Sequence, residues 1–303
     1  MSVLIIAFNR PDLLKKLIKK LSEIKPKKIY FACDGPRMEY CDDKEKCNLI
    51  NKLIDNEIDW DCKIFKKVHS KNIGVKKNIN SAIDWFFSNE EMGIILEDDC
   101  EFGISFFKFC EELLIRYRHN SKIKIISGNY YHSNIVEDNS YYFSRCPGTH
   151  GWATWKRAWY ENDKEMKSWR GKIEYFWLVK FFKFDFVKAH YFYKKFIDSY
   201  NEVIKSWDYQ LLYSVWKNNG VIIRPYKSLC KHIGWGNDAT HSKRPDQHPD
   251  VITKEIDFPL LHPKKITIND RLDNIEIKKI RNVYFWKYLI YKFKKKFSFK
   301  LLH

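Results

Sequence analysis

The sequence predicts an α/β fold in which a mostly parallel sheet is flanked by helices. Short, wholly apolar runs alternate with amphipathic stretches of helical period, and turn-forming residues mark the junctions between them. Residues 3–8 (VLIIAF) are the first such run, followed by a turn at 9–12 and helical periodicity over 13–21. Residues 28–33 form a second strand that stops at Asp34-Gly35-Pro36-Arg37. A helix-forming stretch over 44–54 then leads to a third strand at 61–67. Asn72-Ile73-Gly74 is a turn, residues 75–87 read as a helix, and the apolar run 93–96 enters Glu97-Asp98-Asp99 directly.

This β-α-β-α-β succession predicts a Rossmann-like sheet with ligands at the carboxyl ends of its strands. Further on, residues 106–118 read as a helix and 124–129 as a strand. Residues 175–207 are dense in Phe, Tyr and Lys without a clean period, 208–218 return to helix, and 220–225 form a late strand. The chain from 280 to 303, with Tyr284-Phe285-Trp286 beside Lys294-Lys295-Lys296, reads as a basic aromatic appendage. The expected organisation is a nucleotide-binding half at 1–130, an acceptor half with a lid loop at 131–270, and a tail at 271–303.

Composition narrows the class of partner. A formal charge of +17 and a pI near 9.3 call for an anionic partner: a nucleic acid, an anionic leaflet or a phosphorylated substrate. Aromatic residues make up 17% of the chain, more than a basic nucleic-acid module needs for its core, and such rings suit carbohydrate and interfacial lipid. The 8 cysteines include no CxxC pair that would suggest zinc or a redox couple. The N-terminus enters its first strand without a leader pattern, and no apolar run has transmembrane length. A reducing cytoplasmic setting is therefore expected.

Three consecutive acids at the end of an apolar strand are costly unless something positive neutralises them, and a hard divalent cation with phosphate oxygens does so. A solvated acidic turn is the competing reading. Trp207-Asp208 precedes the late helix, where Asp208 can serve as a general base or as a helix N-cap. Lys76, just after Gly74, can face an anionic ligand or solvent. The Gly/polar segment 234–242, containing His241, suits a lid over a diphosphate or a plain surface loop. Trp152 can stack on a sugar ring or pack the core. The tail's rings and lysines suit an anionic leaflet, or simply a free basic end.

The strand end at Asn9-Arg10, the Asp34 strand end, Asn72-Ile73-Gly74-Val75-Lys76 and Gly93-Ile94-Ile95-Leu96-Glu97-Asp98-Asp99 with Phe106-Phe107 downstream resemble GT-A glycosyltransferases. The pattern is most similar to the N-acetylglucosaminyltransferase I type, whose metal motif is also Glu-Asp-Asp. Pro147-Gly148-Thr149-His150-Gly151-Trp152 is similar to that family's Pro-Gly-x-Gly-Trp loop with one residue more, and Trp207-Asp208 followed by Arg224-Pro225 matches its later spacing. The resemblance implies Asp99 as the ligand of Mn2+ or Mg2+, Asp98 and Glu97 on the ribose and donor sugar, Asp34 on uracil, and Asp208 as the base. It places Ala7, Asn9, Arg10, Lys76, Trp152 and His241 around the nucleotide sugar.

The function it implies is inverting, metal-dependent transfer of a sugar from a nucleoside diphosphate, with UDP expected, to a lipid-linked or surface glycan such as lipopolysaccharide or capsule. The enzyme would work peripherally on the inner face of the membrane. Two other readings stand beside it. A sugar-phosphate nucleotidyltransferase would show a Gly-rich first loop, whereas Phe8-Asn9-Arg10-Pro11 has no glycine. A basic nucleic-acid-binding protein explains the charge but not acids at a strand end, so no nucleic-acid partner is expected.

Overall fold

Strand β1 (Ser2–Ala7) is buried along its whole length, because helices cover both faces of the sheet it centres. Its side chains alternate: Val3, Ile5 and Ala7 join one core cluster, while Leu4 and Ile6 join another. This is why the run is apolar at every position rather than at every second one. The computed structural model of the chain describes residues 1–132, 137–235, 251–280 and 283.

Strands and helices alternate through the first half: α1 (Pro11–Ile24), β2 (Lys28–Cys33), α2 (Asp43–Asn56), β3 (Lys63–Val68), α3 (Val75–Asn89) and β4 (Met92–Glu97). Pro11 opens α1, where a missing N–H does no harm. The second half adds β5 (Cys100–Phe102), α4 (Ser105–Arg116), β6 (Ile123–Ser127), β7 (Tyr141–Ser144), β8 (Trp152–Trp155) and the short α5 (Lys156–Trp159). It continues with α6 (Lys172–Phe181), α7 (Phe186–Tyr200), α8 (Asp208–Lys217), β9 (Val221–Pro225), β10 (Cys230–His232) and α9 (Asp270–Ile275), which leads into a π-helical turn, Glu276–Ile280.

Eight strands form one sheet in the order β3-β2-β1-β4-β8-β6-β9-β7. Pairs β3-β2, β2-β1, β1-β4 and β6-β9 are parallel, and only β8 and β7 run against the rest. The expected mixed α/β architecture with a mostly parallel sheet is therefore present. Helices α1, α2 and α4 cover one face; α3 and the α6–α8 group cover the other.

The chain goes from β1 outward to β2 and β3, then returns on the other side of β1 to form β4. That reversal leaves a crevice at the carboxyl ends of β1 and β4. A separate two-stranded ribbon pairs β5 with β10, setting His232 opposite Cys100.

Two readings of the sequence change. Residues 175–207, read as carrying no clean period, fold as α6 and α7: α6 has apolar residues around most of its circumference and so no polar stripe, while α7 is amphipathic, with Ala189, Phe192 and Phe196 on its buried side. Residues 271–280, expected in the tail, pack on the domain: Leu272 and Ile277 are buried, and Glu276 pairs with Arg224 at 2.6 Å. The tail's Tyr284-Phe285-Trp286 and lysine cluster lie outside the described residues. Among the described residues no helix is long and apolar enough to cross a membrane.

Candidate metal and nucleotide-sugar site

The crevice between β1 and β4 opens into a cavity of about 710 Å³. Ile6, Ala7, Phe8 and Arg10 line it from the end of β1, and Glu97, Asp98 and Asp99 from the end of β4. Asp34, Arg37 and Asn72 stand on one side, and Lys195, Ser206, Trp207, Asp208 and Tyr209 on the other. A volume of this order accommodates a small organic ligand of nucleotide-sugar size.

The three acids are held differently. Glu97 is the last residue of β4, and burial followed by repulsion from Asp99, Asp98 and Asp208 raises its carboxyl well above the usual range. Asp98 is fixed by its own N–H to the Ile6 carbonyl at 3.0 Å and accepts the Phe8 N–H at 3.2 Å. Burial and the neighbouring Asp99 push it up to about 7. Burial also pushes Asp99 upward, but His232, His150 and Arg10 outweigh it and hold that carboxyl low.

Asp99 is the centre of the constellation. One carboxylate oxygen accepts from Arg10 Nη1 at 2.7 Å and shares a hydrogen bond with His232 Nε2 at 3.0 Å. The other, Oδ1, is buried with no hydrogen-bond partner. His150 lies beside His232, ring centroids 4.6 Å apart, and ligand atoms of Asp99, His150 and His232 all fall within 4.8 Å of one another.

A buried carboxylate with one orphaned oxygen and two imidazoles close by is what a divalent cation resolves. The mixed nitrogen and oxygen set fits Mn2+ or a similar transition metal better than Mg2+, which prefers oxygen alone.

Local structure explains this convergence. The β5–β10 ribbon brings His232 alongside Asp99, and the Ile233 N–H donates to the Asp99 carbonyl at 2.9 Å. A Cβ on Gly234 would lie 2.4 Å from Asp99 Oδ2 and 2.6 Å from Arg10 Nη1, so no side chain fits there. His150 is presented by the loop before β8, where Gly151 takes a left-handed backbone (φ 76°).

Several residues implied by the resemblance have other tasks. Asp34 lines the cavity, but its two oxygens accept from Gly35 N and Ile73 N, and from Gly74 N and Asn72 Nδ2. A carboxylate has about four lone-pair sites, so no acceptor is left for a base N–H, and Asp34 instead pins the 72–74 turn. Asn9 does not line the cavity; it donates to buried Asp43 at 2.7 Å. Lys76 also misses the lining and pairs with Glu202 at 3.5 Å and Glu165 at 3.7 Å. Trp152 is fully buried and stacks on Trp207, centroids 5.7 Å apart, which settles it as core. His241 lies outside the described residues.

Asp208 does line the cavity. It is the first residue of α8 and caps nothing with its side chain; it accepts instead from the Ser206 hydroxyl. Sequence reasoning missed His150 and His232 as partners of Asp99 in a group that could hold a metal ion, since neither sits in a ligand-like spacing. It also missed Arg37, whose guanidinium is clamped by Asp43 through Nε at 2.6 Å and Nη2 at 3.0 Å. Arg37 lies 3.7 Å over the Tyr40 ring and 5.1 Å from the Phe8 ring. Held in place this way on the cavity wall, its guanidinium has in-plane N–H groups suited to hydrogen-bond acceptors on a nucleotide.

No protein-family model matches the chain, and no curated protein matches it. Among solved structures it is similar to HddC from Yersinia pseudotuberculosis, at 14% identity and a TM-score of 0.33 over 52% of this chain and 77% of that one. The same HddC complexed with GMP-PN gives 14% and 0.32 over the same shares. At that TM-score the likeness bears on neither site nor activity.

Proposed function

We propose that this chain is a metal-dependent, inverting glycosyltransferase of GT-A type. It would transfer a sugar from a nucleoside diphosphate, with UDP the expected carrier, to a lipid-linked or surface glycan acceptor. The observation that carries the reading is the cavity itself, which sets an acidic strand end and a two-histidine, one-carboxylate cluster on its floor with an independent carboxylate, Asp208, on its wall.

A divalent cation held by Asp99, His150 and His232 would supply positive charge against the leaving diphosphate. Arg10 adds a fixed cation on the same side, 2.7 Å from Asp99. On the wall, Asp208 would take the proton from the acceptor hydroxyl as that oxygen bonds to the anomeric carbon and the carbon–oxygen bond to the diphosphate breaks. Glu97 and Asp98 line the same cavity and would meet sugar and ribose hydroxyls there.

A sugar-phosphate nucleotidyltransferase would use the same nucleotide wall, and Asp208 separates the two readings. A sugar phosphate attacks as an anion already and needs no general base, whereas a sugar hydroxyl does.

The test is thermal-shift titration with UDP, GDP, CMP and their sugars, with and without Mn2+, on wild type, Asp99→Ala and Asp208→Asn. One nucleotide should raise the melting temperature in a Mn2+-dependent way, because ligand binding stabilises the folded state. The shift should vanish in Asp99→Ala and survive in Asp208→Asn, while Asp208→Asn loses about 10²–10⁴-fold in sugar transfer. Pyrophosphate release from a nucleoside triphosphate and a sugar phosphate, unaffected by Asp208→Asn, would replace this reading with the nucleotidyltransferase.

A further inference from the structure

Helices α6 and α7 form a hairpin whose inner face is well packed. Leu178, Val179, Ala189, Phe192 and Phe196 are buried, and Phe182 stacks on Phe192 with centroids 5.4 Å apart. Several large apolar side chains of the hairpin are left uncovered. Phe176 is 71% exposed, Phe184 69%, Ile173 63% and Phe186 53%. Ile173 and Phe176 sit three apart on one side of α6, and Phe184 and Phe186 lie at the tip. Large apolar side chains left exposed together on one hairpin mark an interaction surface.

The tip is strained as well as exposed. Lys183 and Phe184 both take left-handed backbone, φ 51° and 66°, and the Phe184 N–H closes α6 on the Val179 carbonyl at 2.8 Å. Glycine fits that conformation freely and a bulky aromatic does not. The fold therefore gains nothing from a ring at this position that it would not have from glycine, yet the ring is displayed to solvent.

Charge identifies the occupant. Within the hairpin every acid is engaged: Glu174 with Lys217 at 3.1 Å, Asp185 with Lys188 at 2.9 Å, and Asp198 with Lys194 at 2.6 Å. Lys172 and Lys180, beside the exposed rings, have no acidic partner among the described residues. A second copy of a chain of net charge +17 would bring like charge to this face, whereas an anionic lipid surface is complementary to both its rings and its lysines.

We propose that the α6–α7 hairpin docks on an anionic lipid bilayer, with Phe176, Phe184 and Phe186 entering the interface and Lys172 and Lys180 meeting lipid phosphates. This does not depend on the sugar-transfer reading. If that reading holds, the hairpin also links membrane and acceptor wall. Phe186 and the cavity-lining Lys195 are nine residues apart on α7, about 14 Å along the helix, and the segment after α7 supplies Ser206 and Asp208.

The experiment is flotation of the full chain with phosphatidylcholine vesicles, with or without about one-third phosphatidylglycerol. Wild type should float only with the anionic vesicles and be released by salt. Phe184→Gly, which relieves the backbone, combined with Phe176→Ser and Phe186→Ser, should lower partitioning at least about tenfold. The nucleotide-dependent thermal shift should be unchanged in that variant. Lys172→Glu with Lys180→Glu should give a comparable loss. The proposal is overturned if wild type ignores anionic vesicles or if the aromatic variant floats like wild type. It is also overturned if light scattering shows that the substitutions convert a dimer to a monomer.

Discussion

Two buried charged clusters lie at opposite ends of this sheet's logic. The guanidinium of Arg224, which is fully buried, finds an acceptor for each of its three nitrogens, although Asn129 Oδ1 and the Tyr142 hydroxyl nearby have none. Nε and Nη2 donate to the Asn129 carbonyl at 3.1 and 3.0 Å, and Nη1 donates to the Cys146 carbonyl at 3.0 Å and to Glu276 at 2.6 Å. Around Asp99 three acids crowd one strand end, Asp99 Oδ1 has no partner, and neither does His232 Nδ1. Both clusters contain residues that a sequence pattern singles out. The Asp99 cluster is the open one, because there like charges crowd a carboxylate oxygen that has no partner; the Arg224 cluster is closed by an opposite charge and ties β9 to the 129 and 146 loops and to the π-helical turn.

The sharpest way to break this contrast is Arg224→Met. Removing one partner of a buried pair strands Glu276 and two carbonyls, so stability should fall by about 3–5 kcal/mol. Urea unfolding followed by circular dichroism measures it. A loss under 1 kcal/mol would mean that the Arg224 cluster is not structural in the sense argued.

Much of this was legible in the sequence, and the reason is local. Residues 3–7 of β1, 29–33 of β2 and 92–96 of β4 form unbroken apolar runs because both faces are covered, and α1 and α3 carry clear helical periods. Glu97-Asp98-Asp99 was legible because acids at the end of such a strand violate the cost of burying charge. What stayed hidden depends on pairing between distant segments. His232 reaches Asp99 only through the antiparallel ribbon of β10 with β5, and β8 enters the sheet as four buried residues, Trp152–Trp155, that look like loop aromatics in one dimension. Asp34 misled for the opposite reason: its place at a strand end is right, but its oxygens are claimed by the turn 38 to 40 residues further along the chain.

Asp273 lies beside the Arg224–Glu276 pair and is repelled by Glu276. Asp273 accepts from Ser144 and from the Arg145 N–H at 2.9 Å, but burial dominates and lifts it from the ordinary 3.8 to about 6. Between these values the folded state holds a proton that the unfolded state has released, so stability falls as pH rises through that window. Integrated over the window this group accounts for about 3 kcal/mol, lost by pH 6 and level above it. Unfolding free energies at pH 4 to 7 for wild type and Asp273→Asn should diverge by an amount of that order in favour of the variant as pH rises. Parallel curves would assign Asp273 an ordinary titration.

At the open cluster the same reasoning gives the smallest effect, with the opposite sign from Arg224. Glu97 is raised by burial first and then by Asp99, Asp98 and Asp208, so its ionised form opposes folding whenever no cation is bound. In protein stripped of metal with a chelator at pH 8, Glu97→Gln should therefore stabilise by about 1 kcal/mol, the scale of relieving one poorly compensated buried charge. The gain should shrink as the pH falls towards the ordinary carboxylate value of 4.5, because the raised wild-type carboxyl takes up its proton first. Added Mn2+ and nucleotide should narrow or reverse it, because the carboxylate then has positive charge and hydroxyls to accept from. A variant less stable than wild type in the absence of metal would mean that Glu97 is already compensated by the fold, and the line drawn between a structural and a ligand-binding charge cluster would have to move.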